Sequence, residues 1–318
     1  MPDDVPSLSD GPVPDRMRVI RLADAYLDAV PRTDADALAV GPFTLFRSHG
    51  AWSYYARPAL GISRTITGSD LAELDRVRRE LSLPLALEWL PDCCPSLEAV
   101  VREYGLAVHE YVLMALRPNS LDQERPTGAV GPVGYRTRGP VALPHGVTVR
   151  LVDPDDLDDP AVPAARAVAD VAFGVGGTAP GPVGINERNA MLQGLSPVVV
   201  EQMRKRIAAG RMVLAIAERE PDGVVGSGAY QPIGEVAEIV GVATLPVVRR
   251  QGVATVVSAL LASSAFAGGA ALVVLSAGSE DIARVYAASG FQRIGRSLAA
   301  EPAEPAEPAE RAEPDDEA

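Results

Sequence analysis

Apolar residues recur along this chain with two periods, two residues in some stretches and about 3.6 in others, and the two kinds of stretch take turns. Within residues 147–300 the alternating run VTVRLV predicts a strand and PAVPAARAVADVAF a helix. A glycine-rich loop, GVGGTAPGPVGINER, leads to a helix at SPVVVEQMRKRIAAG, with Ser196 placed to cap it and Gly210 to stop it. Two alternating runs, MVLAIAER and VVGSGAYQPI, flank the turn signal PDG and read as a hairpin. VAEIVGVATL is nearly all apolar, as a central strand covered on both faces must be. A helix from Gln251 to about Ala267, the strand ALVVLSA, the helix SEDIARVYAAS and the strand FQRIGRSLA follow. The order β-α-α-β-β-β-α-β-α-β predicts an α/β unit with a central mixed β-sheet.

The front of the chain echoes this pattern in shortened form. FTLFRS and SYYARP are strand-like, TGSDLAELDRVRREL is a capped helix, and LALEWL, PSLEAVVREYGL and AVHEYVLMAL give strand, helix, strand. With SLEAVVREYGLAVHEYVLMAL set beside EDIARVYAASGFQRIGRSLAA, Gly105 falls on Gly290 and Val101 on Tyr286. The reading is two tandem copies of one fold, the first degenerate. Folded units are expected at 17–116 and 147–300, joined by a proline- and glycine-rich linker at 117–146. Residues 1–16 and the Glu-Pro-Ala tail 301–318 cannot bury a core and are expected to be disordered.

Composition narrows the chemistry. The net charge of −13 misleads, because the tail alone carries eight acids against one arginine. No basic face is predicted, so nucleic acid is not an expected partner. Cys93 and Cys94 are adjacent, too close for an ordinary disulfide, and His49, His109 and His145 are scattered, so no metal is expected. The stretch from Gln251 to Ser279 has no charged side chain, but Gly268 and Gly269 cut it into a helix and a buried strand; no membrane span or export signal is read, and a cytoplasmic location is expected. A homodimer is compatible with the pattern. The glycine-rich loop lies between helices rather than after a strand, so it is not a dinucleotide fingerprint.

One stretch stands apart, EIVGVATLPVVRRQGVATVVSALL, from Glu238 to Leu261. A helix start offers unpaired amide hydrogens and a partial positive charge, and it cradles an anion if side chains stay clear. Gly252 has no Cβ and Ala254 only a methyl, so a phosphate can reach the amides of Arg250, Gln251, Gly252, Val253, Ala254 and Thr255, with Arg249 and Arg250 as further donors.

Arg249, Gly252 and Ala254 match the coenzyme A signature of the GNAT family of N-acetyltransferases, and Tyr286, Gly290 and Phe291 resemble its closing segment, with Ser279 where asparagine is common. The resemblance covers about 147–298, and the whole chain is similar to bacterial GNAT proteins with a degenerate amino-terminal half. It implies direct acetyl transfer from acetyl-CoA to an amine. Val242, Ala243 and Thr244 would bond the pantetheine arm through their backbone and polarise the thioester carbonyl, and Arg249–Thr255 would hold the pyrophosphate. Ser279 would give a coenzyme contact or a helix cap. Glu238, with Glu235 as the alternative, would take the amine's proton, and Tyr286 would return one to the departing thiolate. Asn186, Glu187, Arg188, Tyr230 and Gln231 are candidate acceptor contacts. Two other readings are a non-catalytic CoA-binding scaffold and a transferase of longer acyl groups.

Overall fold

Each half of the chain ends in a single strand, and neither of these strands stays with its own half. The computed structural model describes residues 16–50, 53–118, 146–156 and 158–303. The segment 1–15, nearly all of the expected linker and the tail from 304 onward lie outside the described residues. The first half comprises α1 (Arg16–Ala29), β1 (Ala35–Val40), β2 (Phe43–Ser48), β3 (Ala56–Pro58), α2 (Gly68–Glu80), β4 (Leu87–Trp89), α3 (Leu97–Glu103) and β5 (Leu106–Leu116). The second comprises β6 (Val147–Leu151), α4 (Ala161–Val175), α5 (Ile185–Gly194), α6 (Pro197–Ala208), β7 (Val213–Arg219), β8 (Gly223–Ile233), β9 (Val236–Thr244), α7 (Val253–Ala267), β10 (Leu272–Ala277), α8 (Glu280–Ala288) and β11 (Gln292–Pro302).

The strands form one eleven-stranded sheet in the order β1-β2-β3-β4-β11-β5-β10-β9-β8-β7-β6. β11 is thus seated beside β4, and β5 beside β10. The two exchanged strands pair antiparallel with each other from Gln292–Ala115 to Pro302–Leu106. Alternation along each strand then divides its side chains between cores. Met114 and Leu116 of β5 enter the second half's core, while Leu298 and Ala300 of β11 enter the first half's. A third cluster lies on the opposite sheet face, where Val19, Ile20, Ala23 and Tyr26 of α1 pack on Leu113 and Ala115 of β5 and on Val236, Leu272 and Val274. Helix α1 therefore belongs by sequence to the first half and by packing to the second.

Three elements were not expected from the pattern. α1 and β1 precede the first expected strand, so the first half is less truncated than its periodicity predicts. α5 extends the glycine-rich loop. It buries only Arg188 and is held by its start, where the Glu187 carboxylate accepts from the Gly184 amide at 2.7 Å. A helix with no apolar stripe leaves no period to read. β11 also runs two residues into the expected tail. No helix among the described residues is long and apolar enough to cross a membrane.

The duplicated glycines hold the same conformation. Gly105 and Gly290 end equivalent helices at φ +87° and +95°, a region costly for residues with a Cβ. Where the halves differ is the start of the helix equivalent to α7. At α2 the Asp70 carboxylate accepts from the Thr67 amide at 2.9 Å and from Arg64 at 2.7 Å, and these donors hold it well below the usual carboxylate range. The first half fills its own cradle with an acid.

Candidate active site

β9 and β10 run parallel but pair over only three residues, the last being Glu238 with Val274. Beyond that point β9 stays with β8, while β10 pairs with β5 as far as Ala277. A register slip opposite Ser227–Ala229, with Gly241 at φ +63°, marks a bulge that turns β9 away. One backbone edge of β9 from Ile239 to Thr244 is left without a strand partner from β10, and it opens on a cavity of about 800 Å³. Val242, Ala243 and Thr244 line this cavity, and the Thr244 hydroxyl is buried without a hydrogen-bond partner. An amide-bearing arm can lie along such an edge as an added strand.

The same cavity reaches the start of α7. Gly252 is the N-cap at φ +80°, Arg250 before it is at φ +63°, and the first in-helix bond shown there runs from the Val256 amide to the Gly252 carbonyl at 3.1 Å. The amides ahead of Val256 point out of the helix start toward the cavity lined by Arg250, Gly252, Val253, Ala254 and Thr255. Gln251 is exposed and does not line the cavity. These residues fit a diphosphate: free amides, a positive helix end and no side chain at Gly252.

Arg249 does something other than the resemblance implies. Its guanidinium donates to the carbonyls of Gly176 at 2.7 Å, Ala172 at 2.9 Å, and Ala179 and Thr244 at 3.3 Å. Arg250 donates to the Thr178 hydroxyl at 3.1 Å. The signature arginine thus ties the glycine loop after α4 to the cradle, and Gly181 and Val183 bond the turn before it. Arg249→Ala should free this loop, raising amide exchange across residues 174–184 and the KM for acyl-CoA about tenfold with kcat little changed. Loss of such charge-assisted bonds costs roughly 2–3 kcal/mol, and unchanged exchange would refute the tie.

Glu238 stands at the fork itself. Its side chain lines the cavity, so water reaches it, yet protein surrounds it on its other sides and it makes no hydrogen bond or ion pair with another described residue. Burial, helped by the negative charge of Glu88, pushes its carboxyl up to about 8. Glu235 lies in the exposed turn between β8 and β9, and its carbonyl accepts from the Ala271 and Leu272 amides. It does not line the cavity. Tyr286, 9 % exposed, enters the cavity from α8, its ring edge-on to Phe291 with centroids 6.0 Å apart. Burial pushes its phenol up to about 12, so it stays protonated. One wall of the cavity therefore carries a carboxyl that titrates near neutrality, and another carries a proton donor.

The remaining candidates separate. Ser279 caps α8, its hydroxyl accepting from the Ile282 amide at 3.3 Å. Arg188 is buried and donates to the carbonyls of Asp222 and Val224, Glu187 caps α5, and Asn186 lies in its first turn, all away from the cavity. Tyr230 turns into the second half's core, where its hydroxyl bonds Ser264 at 3.2 Å. Gln231 sits directly across from Glu238 on β8, its side-chain oxygen accepting from Arg206 and its carbonyl from the Tyr26 hydroxyl, both at 2.8 Å. Sequence reasoning missed Tyr111, on β5, which lines the cavity from the first half's strand. No spacing within the second half could reveal a wall contributed by the other half.

Residues 192–291 match the family model for the acetyltransferase (GNAT) family. This stretch of the chain is a GNAT domain. It runs from α5 to Phe291 and contains the fork, the cradle, Glu238 and Tyr286. No curated protein matches the sequence. Among solved structures the chain is similar to a GCN5-related N-acetyltransferase from Kribbella flavida, at 19 % identity and TM-score 0.62, covering 90 % of this chain and 96 % of that one. It is also similar to a functionally unknown conserved protein from Staphylococcus epidermidis (14 % identity, TM-score 0.51, covering 84 % and 93 %). A GCN5-related N-acetyltransferase-like protein from Streptococcus suis aligns at 13 % identity and TM-score 0.50, covering 90 % and 97 %. These likenesses extend through both halves, so the shared fold includes the degenerate half as well as the GNAT domain. The GNAT domain supports acyl transfer from an acyl-CoA.

Proposed function

We propose that this protein is an N-acetyltransferase that moves the acetyl group of acetyl-CoA to a primary amine in a ternary complex. The observation that carries the reading is the fork after Glu238, which opens the β9 edge, the α7 cradle, the Glu238 carboxyl and the Tyr286 phenol onto a single cavity. The β9 edge from Val242 to Thr244 would hold the pantetheine arm, and one of its amides would polarise the thioester carbonyl. The amides at the start of α7 would hold the diphosphate.

An acceptor amine arrives as an ammonium and attacks only after losing a proton. Glu238, once ionised, takes that proton, and its raised pKa makes it a stronger base than a surface carboxylate. As the C–S bond breaks, the Tyr286 hydroxyl gives a proton to the departing thiolate. Tyr286→Phe keeps the ring packing on Phe291 and removes only the proton. With acetyl-CoA and a panel of amines, followed by thiol release, it should lower kcat about 10²-fold and leave the KM for acetyl-CoA unchanged. Equal rates in both proteins would overturn the assignment, and propionyl- and succinyl-CoA in the same assay report the acyl preference.

A further inference from the structure

An acid from the other half of the chain shares a sheet face with Glu238. Strand alternation makes this geometric. On β9, Val236 faces the cluster under α1, so Glu238 two residues on faces the same way; on β10 and β5 the same parity carries Ser276 and Tyr111. On β4, Leu87 and Trp89 enter the first half's core, which turns Glu88 to the opposite face, the one shared with Glu238. Ser276 and Ser297 share a hydrogen bond of 2.8 Å across this face, and Tyr26 of α1 closes it by donating to the Gln231 carbonyl beside Glu238. The face is one surface built by both halves, with an acid from each.

Neither acid forms an ion pair with another described residue. Glu88 is exposed and has no ion pair among the described residues; the protein crowded around it pushes its carboxyl upward, and the charge of Arg57 offsets that only in part. Arg57, 1 % exposed, on β3 and facing the same way, is already paired with Asp24 of α1. Its Nε and Nη1 are buried without partners.

Resting on the acyl-transfer reading above, we infer that Glu88 of the degenerate half is an acceptor-binding residue, and that the acceptor is an amine with a second positive charge. One ammonium gives up its proton to Glu238, and the other is held by Glu88. A carboxylate on the acceptor would meet two acids, so free amino acids are disfavoured. The groups facing the pair are Arg57 of β3 and Tyr55 just before it, Asp24 and Tyr26 from α1, Tyr111 and His109 from β5, the latter paired with Glu301 of β11, and Arg206 from α6. The arginines are permanently charged and the tyrosines neutral below pH 9.

The test titrates the full-length protein, saturated with coenzyme A, with putrescine, butylamine and γ-aminobutyrate in a calorimeter. Binding should fall in that order, at least tenfold from putrescine to γ-aminobutyrate. Glu88→Gln should remove the advantage of putrescine over butylamine. It should also lower the pH at which kcat/KM rises, because the charge that raises Glu238 is gone. Equal binding of all three amines, no binding of any, or an unaltered preference and pH profile in Glu88→Gln overturns the inference. Acetyl-CoA should still raise the melting temperature of Glu88→Gln, which shows that the variant is folded. If acetyl-CoA fails to do so even in the parent protein, the acyl-transfer reading itself falls.

Discussion

Replacing Gly252 by glutamate should abolish the rise in melting temperature expected of the parent protein with saturating acetyl-CoA. Gly252 is the N-cap of α7 at φ +80°, and the amides after it line the cavity. A ligand present at a hundred times its Kd stabilises a protein by about 2.7 kcal/mol, and that is the increment at stake. The glutamate puts a methylene where the phosphate must approach and a negative charge against it. Without ligand the variant should melt only slightly lower. The left-handed conformation costs a non-glycine residue about 1–2 kcal/mol, and an acid at a helix start returns about 0.3–1 kcal/mol. Gly252→Ala carries the same backbone cost without the charge and should keep part of the shift. Scanning calorimetry with and without acetyl-CoA reads all three; an undiminished shift in Gly252→Glu would remove the cradle from the binding site.

Glu238→Gln should lower kcat by about 10²–10⁴-fold, the range for a general base. In the parent protein the base is the ionised form, and its pKa is pushed up to about 8, so the rate should climb as pH rises through 8. The variant should lose that climb. Stability moves the other way. A carboxyl whose folded pKa exceeds its unfolded value favours folding in its protonated form. Relative to low pH, stability therefore falls as pH rises from about the unfolded value of 4.5 to 8, and the loss is complete above 8. Glutamine carries no such penalty, so Glu238→Gln should melt higher than the parent above pH 8, the difference shrinking toward pH 5. A variant that is inactive yet less stable across this range would argue that Glu238 is structural.

Much of the second half was legible because its signals are local. The cradle could be read from Arg249, Gly252 and Ala254, since a helix start and a missing Cβ are properties of a few adjacent residues. The same locality misled at Arg249. Its place in the signature is visible, but the Ala172, Gly176 and Ala179 carbonyls that hold it come from a loop some seventy residues earlier. α5 was missed because a helix fixed by its cap and one buried arginine has no apolar rhythm.

By itself the sequence determined the order of strands and helices, the duplication, and which half keeps an open anion cradle, because periodicity, glycine positions and the acid at the start of α2 are written residue by residue. Only the tertiary structure decided where β5 and β11 sit. Each could pair with either half, and the choice rests on which core its alternate side chains fill. That exchange is what brings Tyr111 into the wall of the cavity and Glu88 onto the face of Glu238. Charges far apart along the chain acquire their strength only when burial removes the water between them.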